Sequence, residues 1–166
     1  TPKPNMTDLS IYARGEISTT DGGAPSYEGG IAVGGPLVED KIGVRVSAWY
    51  RRDGGWVDRA DMNTGAITDK NANYQSTTAL RGAITFKPTE TLSITPSVFF
   101  QEIDVNDAGV TWDTLSDPGA GIFKNGDPLY QPHKDRFVLP NLDIEWDLGG
   151  VILTSSTSHL ARRSYS

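Results

Sequence analysis

Cysteine is absent from the chain. That removes disulfide staples, thiolate metal sites and cysteine nucleophiles together. It is compatible with an oxidising compartment without demonstrating one. No run of about 18 apolar residues occurs, so the chain contains no candidate transmembrane helix. Base is in short supply: 15 Lys and Arg stand against 21 acids, for a net charge of −6. With no basic face to hold phosphates, nucleic acid is not an expected partner. Histidine is scarce too, and His133 and His159 stand without a spaced companion that would complete a metal site.

What is plentiful is punctuation. The 18 Gly and 10 Pro are spread along all 166 residues, which points to many turns and not to a linker tract. Between the turns the pattern has a period of two. Leu9, Ile11, Ala13, Gly15 and Ile17 share one side, with Ser10, Tyr12, Arg14, Glu16 and Ser18 on the other. A run from Tyr27 to Gly34 follows. Ile42, Val44, Val46, Ala48 and Tyr50 then alternate with Gly43, Arg45, Ser47, Trp49 and Arg51. Further runs are centred on Leu80–Phe86, Leu92–Phe100 and Val138–Trp146, and a Ser- and Thr-rich one spans Val151–Arg162. The expectation is an all-β, antiparallel fold of about seven strands.

The connections alternate as well. Short ones at Gly34–Lys41, Lys87–Thr91 and Asp147–Gly150 carry turn residues. Long ones run roughly over Thr19–Ser26, Asp53–Asn73 and Asp104–Asp135. An up-and-down transmembrane β-barrel has this layout, with short periplasmic turns and long extracellular loops. Strand length agrees, since Ile42 to Tyr50 matches the roughly 9–11 residues a tilted membrane strand needs. Phe86 and Trp146 precede short turns, while Tyr50 and Phe100 precede long loops, as two aromatic girdles require. A soluble β-sandwich or surface-attached ligand-binding module also fits the alternation, with the apolar face against a second sheet. Gly34-Gly35-Pro36 is expected to reverse the chain, and Pro96 and Pro140 to mark bulges or strand ends.

The phrases Val33-Gly-Gly-Pro-Leu-Val-Glu-Asp-Lys-Ile-Gly-Val-Arg-Val-Ser-Ala-Trp-Tyr50, Asp53-Gly-Gly-Trp-Val-Asp58, Arg81-Gly-Ala-Ile-Thr-Phe-Lys-Pro88 and Leu92-Ser-Ile-Thr-Pro-Ser-Val98 occur in this order. In order and spacing they resemble the start of the barrel of TonB-dependent outer-membrane receptors. Thr1-Pro-Lys-Pro-Asn-Met-Thr-Asp8 resembles the junction that follows the plug domain. The resemblance implies that residues 1–166 are a partial barrel domain, with plug, TonB box and later strands outside it. Thr1 in place of Met, and a final segment Ala161–Ser166 that reads as mid-strand, carry the same expectation. It implies localisation in the Gram-negative outer membrane and energising by the TonB complex. The implied activity is transport of a scarce nutrient, an iron–siderophore complex foremost, with cobalamin or carbohydrate as alternatives.

No catalysis, cofactor or metal is expected. Asp58, Asp61, Asn63 and Asp69 share one loop, but Asp61-Met-Asn-Thr-Gly65 has its Gly one place too early for an EF-hand and lacks the closing Glu. Glu102, Asp104 and Asp107 have the makings of a glycosidase pair with nothing to fix their separation. Ser156 and Ser158 lack a nucleophile elbow. Trp56, Trp112, Phe123 and Tyr130, in or beside the long loops, are the candidate ligand-contacting residues. Capping a barrel mouth or packing on a plug is the competing role for the same four.

Overall fold

A computed structural model describes residues 3–166. The strands are β1 (Ser10–Ser18), β2 (Ser26–Val38), β3 (Ile42–Asp53), β4 (Asp58–Ala60), β5 (Ile67–Asp69), β6 (Gln75–Phe86), β7 (Leu92–Val105), β8 (Lys124–Asn125), β9 (His133–Asp147), β10 (Ile152–Ser158) and β11 (Ala161–Tyr165). The main sheet is ordered β1-β2-β3-β6-β7-β9-β10, with β11 also on β9, and every pairing in it is antiparallel. Consecutive long strands are therefore neighbours, as an up-and-down meander requires. The sheet is open among the described residues, with β1 at one edge and β10–β11 at the other. A small second sheet, β5-β4-β8, is built within the long loops, and its β4–β8 pair is parallel.

The register sorts side chains by parity. One lateral row runs Ile11, Val33, Val46, Gly82, Val98 and Pro140 across six strands. Ile11 is 67 % exposed and Val46 63 %. The opposite face is the sheltered one: its Ala32, Thr77, Ala83, Thr85 and Thr95 are buried. Among the described residues the buried apolar set is Ala32, Val57, Ala60, Ala72 and Ala83, with no Leu, Ile or Phe. Most large apolar side chains of the long strands thus lie on the open face, while Trp49, Phe99, Phe137 and Leu139 share the sheltered one.

Three expectations change. Gly34-Gly35-Pro36 does not reverse the chain. It lies inside β2 opposite Arg45, Val44 and Gly43, with a bulge just beyond Pro36. The reversal falls at Glu39-Asp40-Lys41, where Asp40 takes φ 57° and the Lys41 N–H donates to the Val38 carbonyl at 3.0 Å. Polar Asp tolerates that left-handed conformation.

Pro96 and Pro140 mark neither bulges nor strand ends. Pairing of β7 with β6 lapses between Ala83↔Ser97 and Phe86↔Ile94 and resumes in the same register. Beside that gap the buried Thr85 and Thr95 hydroxyls bond each other at 3.0 Å. Pro140 leaves the matching gap on its outer side. The His159 N–H donates to the Pro140 carbonyl at 3.1 Å, but Pro140 has no N–H to return. For that reason the expected seventh strand is divided into β10 and β11, and the main sheet counts eight strands.

Ahead of β1, residues Lys3–Thr7 cross the turn end of the sheltered face. Lys3 Nζ donates to Glu145 at 3.2 Å, and Asp40 N–H donates to the Met6 carbonyl at 3.2 Å. A Cβ at Gly43 would stand 2.7 Å from the Asn5 carbonyl oxygen, so β3 must be bare there.

Replacing Pro140 by Ala restores the missing donor. The expected result is one continuous strand over Ile152–Tyr165 and about 1 kcal/mol of added local stability, read as slower amide exchange around His159.

Candidate functional site

The loops at one end of the sheet are tied into a cap. Gly54 and Gly55 begin it, because a Cβ on either would collide with the Ala24 or the Asn71 carbonyl oxygen. The chain then passes between two other loop segments. The Asn73 side-chain oxygen accepts from the Trp56 and Val57 N–H groups, each at 2.8 Å, and Val57 is buried. Asn106 Nδ2 donates to the Ala72 carbonyl at 2.8 Å, joining the loop after β7 to the loop after β3.

At the centre is Arg59 on β4, 4 % exposed, paired with Asp107, 1 % exposed. The second Arg59 amino group donates to the Asp127 carbonyl, and the guanidinium lies 4.1 Å from the Tyr130 ring centroid. The other Asp107 oxygen accepts from the Ala108 N–H at 2.9 Å and the Gln131 N–H at 2.8 Å. One carboxylate thereby fixes β4, the end of β7 and the approach to β9. A buried pair is stable only when its other atoms find partners, and here both Asp107 oxygens and both Arg59 amino groups are bonded.

The four candidate ligand-contacting residues do not converge. Trp56 and Phe123 meet edge to face, ring centroids 4.9 Å apart. Trp112 lies over Gly126, where an added Cβ would come within 3.0 Å of its ring, and its N–H donates to the Lys124 carbonyl at 2.8 Å. These three therefore serve cap packing. Tyr130 lines a cavity of about 470 Å³, with Arg59, Asp61, Asn63, Thr68 and Asp127. Its hydroxyl donates to Asp69 at 3.0 Å, and that bond raises the phenol above its usual value. The cavity offers more acceptors than donors, since Arg59 is already neutralised.

Arg59 and Asp107 do not stand out in the sequence as partners, because 48 residues separate them. The one available signal was an Arg inside a polar loop with an acid at the base of the next.

The other acids are occupied. Asp61 Oδ1 accepts from the Thr64 N–H at 2.8 Å, the Thr64 hydroxyl at 3.0 Å and the Asn63 N–H at 3.0 Å. These bonds, the Thr64 N–H first, hold the Asp61 carboxyl below its ordinary range. Asp58 accepts from the Asn71 N–H at 2.9 Å. Glu102 pairs with Arg136, and Asp104 with Lys134 at 3.1 Å. Among the described residues no group of three His, Cys, Asp or Glu is arranged to hold a metal ion. His133 faces the Ser164 hydroxyl at 3.4 Å, and Ser156 donates to Asn141 at 3.3 Å. Compared with protein-family models, curated proteins and solved structures, the chain matches none.

Asp107→Ala strands a buried guanidinium and two N–H groups. Local cap stability is expected to fall by about 3–5 kcal/mol, seen as rapid proteolysis within residues 54–73 and 106–131 while the main-sheet circular dichroism persists. The Asp61 turn adds a pH dependence. A depressed carboxyl contributes stability that is present above its ordinary value of 3.8 and is lost as pH falls through the folded-state value. Amide exchange at Asn63 and Thr64 is expected to accelerate as pH drops below that point, after correction for intrinsic rates. Asp61→Asn removes this dependence.

Proposed function

We propose that the chain is a section of barrel wall from an outer-membrane active transporter of the TonB-dependent receptor type. The observation that carries this reading is the sidedness of the main sheet: through its middle the open face is apolar, while Arg14, Glu28, Arg45, Arg51 and Arg81 lie on the sheltered one. In this reading lipid covers Val46, Ile84, Val98 and Leu142, which are 63 %, 48 %, 44 % and 40 % exposed. Water fills the side that carries Arg14, Glu28, Arg45, Arg51 and Arg81.

The extent of the apolar face supports the reading. Phe86 and Trp146 stand near the short turns, and Tyr27 and Tyr50, ring centroids 6.3 Å apart, near the long loops. From Thr78, beside Tyr50, to Phe86 is about 26 Å along β6, somewhat less along the membrane normal once the strand tilts. A barrel's apolar band is about 25 Å tall. Beyond it, toward the loops, the same face turns charged, with Glu102 and Asp104 opposite Arg136 and Lys134. That is where headgroups and water begin.

Both open edges need partners in such a medium, because unpaired backbone groups in hydrocarbon are each several kcal/mol unfavourable. Further strands supply them in a closed barrel. The loop cap then lies outside the cell, and Tyr130 with its acceptor-rich cavity is the ligand-facing part. An iron–siderophore complex is the nutrient class the family resemblance favours. Transport, not catalysis, is the activity, and its energy comes from the TonB complex acting on segments outside these residues.

The test is placement of two tryptophans in native outer-membrane vesicles, using single-Trp variants. Brominated acyl chains are expected to quench Trp146, on the apolar face, and to spare Trp49, on the other. Equal quenching, or none, overturns the reading in favour of a covering second sheet. Val46→Arg separates the two further. At mid-depth in lipid it destabilises by about 2–4 kcal/mol, whereas in a sealed protein core it prevents folding.

A further inference from the structure

The charges on the sheltered face are settled at one end and unsettled at the other. Toward the loops Arg14 bonds Glu16 at 2.6 Å and Glu28 at 3.1 Å, and Arg51 bonds Glu28 at 3.0 Å and Asp53 at 2.6 Å. Toward the turns Lys3 is matched by Glu145 at 3.2 Å. Arg45 leans over Gly34, where an added Cβ would meet its side chain at 3.2 Å, and donates to the Ser10 hydroxyl at 3.2 Å. Arg81, on the neighbouring strand, is different. Its Nη1 is enclosed and has no hydrogen-bond partner among the described residues. Asp143 and Lys3 line the same cavity as Arg81; Lys3 is taken by Glu145, and among the described residues Asp143 forms no ion pair with Arg81. The Arg81 side chain as a whole is half-buried, so its guanidinium keeps unused donors for an acceptor.

Arg81 borders a cavity of about 460 Å³. Thr95, Ser97 and Asn141 give it hydroxyl and amide groups, and Phe99 and Leu139 an apolar wall. Phe99 stands directly opposite Arg81 across β6 and β7, and Leu139 is next in the same row. Phe137, 5.6 Å from Phe99 between ring centroids, extends that wall. The volume is that of a small-molecule site.

We propose that this cavity binds a small organic monocarboxylate. The acid group takes the Arg81 guanidinium, the Ser97 hydroxyl and the Asn141 amide flank it, and the apolar body lies on Phe99 and Leu139. One carboxylate restores the local charge balance. A phosphate dianion overshoots it, and Asp143 repels the excess. The site is separate from the loop cap, and it exists whether the apolar face meets lipid or protein. The vesicle experiment above can therefore fail without affecting it, and the reverse holds too.

Calorimetric titration of the purified full-length protein, in detergent if it is extracted from membranes, tests it with three probes: benzoate, its neutral isostere benzamide, and inorganic phosphate. Benzoate is expected to bind saturably, at least about tenfold more tightly than either of the others. Arg81→Gln is expected to weaken benzoate about tenfold and leave benzamide unchanged. Phe99→Glu supplies a built-in carboxylate opposite Arg81 and is expected to abolish benzoate binding while the sheet stays folded. In the unmodified protein the Arg81 guanidinium ¹⁵N resonances should shift with benzoate alone, a readout that does not depend on either variant folding. Equal binding of benzoate and benzamide, undiminished benzoate binding in Arg81→Gln, or no saturation at millimolar benzoate each overturns the proposal.

Discussion

Sideways hydrogen bonding is the constraint on which the rest of this structure depends. Once β1, β2, β3, β6, β7 and β9 are bonded in fixed register, each residue's parity decides its face. Val46 and Arg45 are chain neighbours, yet one joins an apolar surface and the other a charged hollow. A slip of one residue would exchange them. The charge pairs on the sheltered face hold the register there. Arg51 can reach Glu28 and Asp53 together only because β2 and β3 align Glu28 with Arg51.

The same constraint explains what the prolines do. A strand bonds left and right by turns, so losing one N–H opens a gap on one side only. Pro96 interrupts the ladder toward β6 and stays paired toward β9. Pro140 stays paired toward β7 and interrupts the ladder toward β10 and β11. Neither shifts the register, because parity on the intact side is unaffected. The Thr85–Thr95 hydroxyl bond beside one gap shows how small polar side chains fill such a place.

Outside the ladder a different logic holds. The cap has only short strands and small buried side chains, so apolar burial cannot hold it alone. Arg59 and Asp107 do so by pairing in a dry place and using their remaining atoms on Asp127, Ala108 and Gln131. The aromatic residues then take secondary positions, Trp56 on Phe123 and Tyr130 beside Arg59. Three of the four that the sequence marks for ligand contact are engaged in packing, and Tyr130 lines a cavity.

The amino-acid sequence by itself determined the parity of the long strands, their all-β character and the alternation of short and long connections. Those follow from local pattern: a period of two and the placement of turn residues need no knowledge of distant neighbours. It misplaced the first reversal, since Gly34-Gly35-Pro36 has turn chemistry yet is drawn into β2 by pairing with β3. Only the tertiary structure decided that Arg59 meets Asp107, that β4 and β8 run parallel, and that Arg81 is left facing a hollow. Each depends on segments far apart in the chain being held together by the sheet between them, and pairings at that range leave no local period to read.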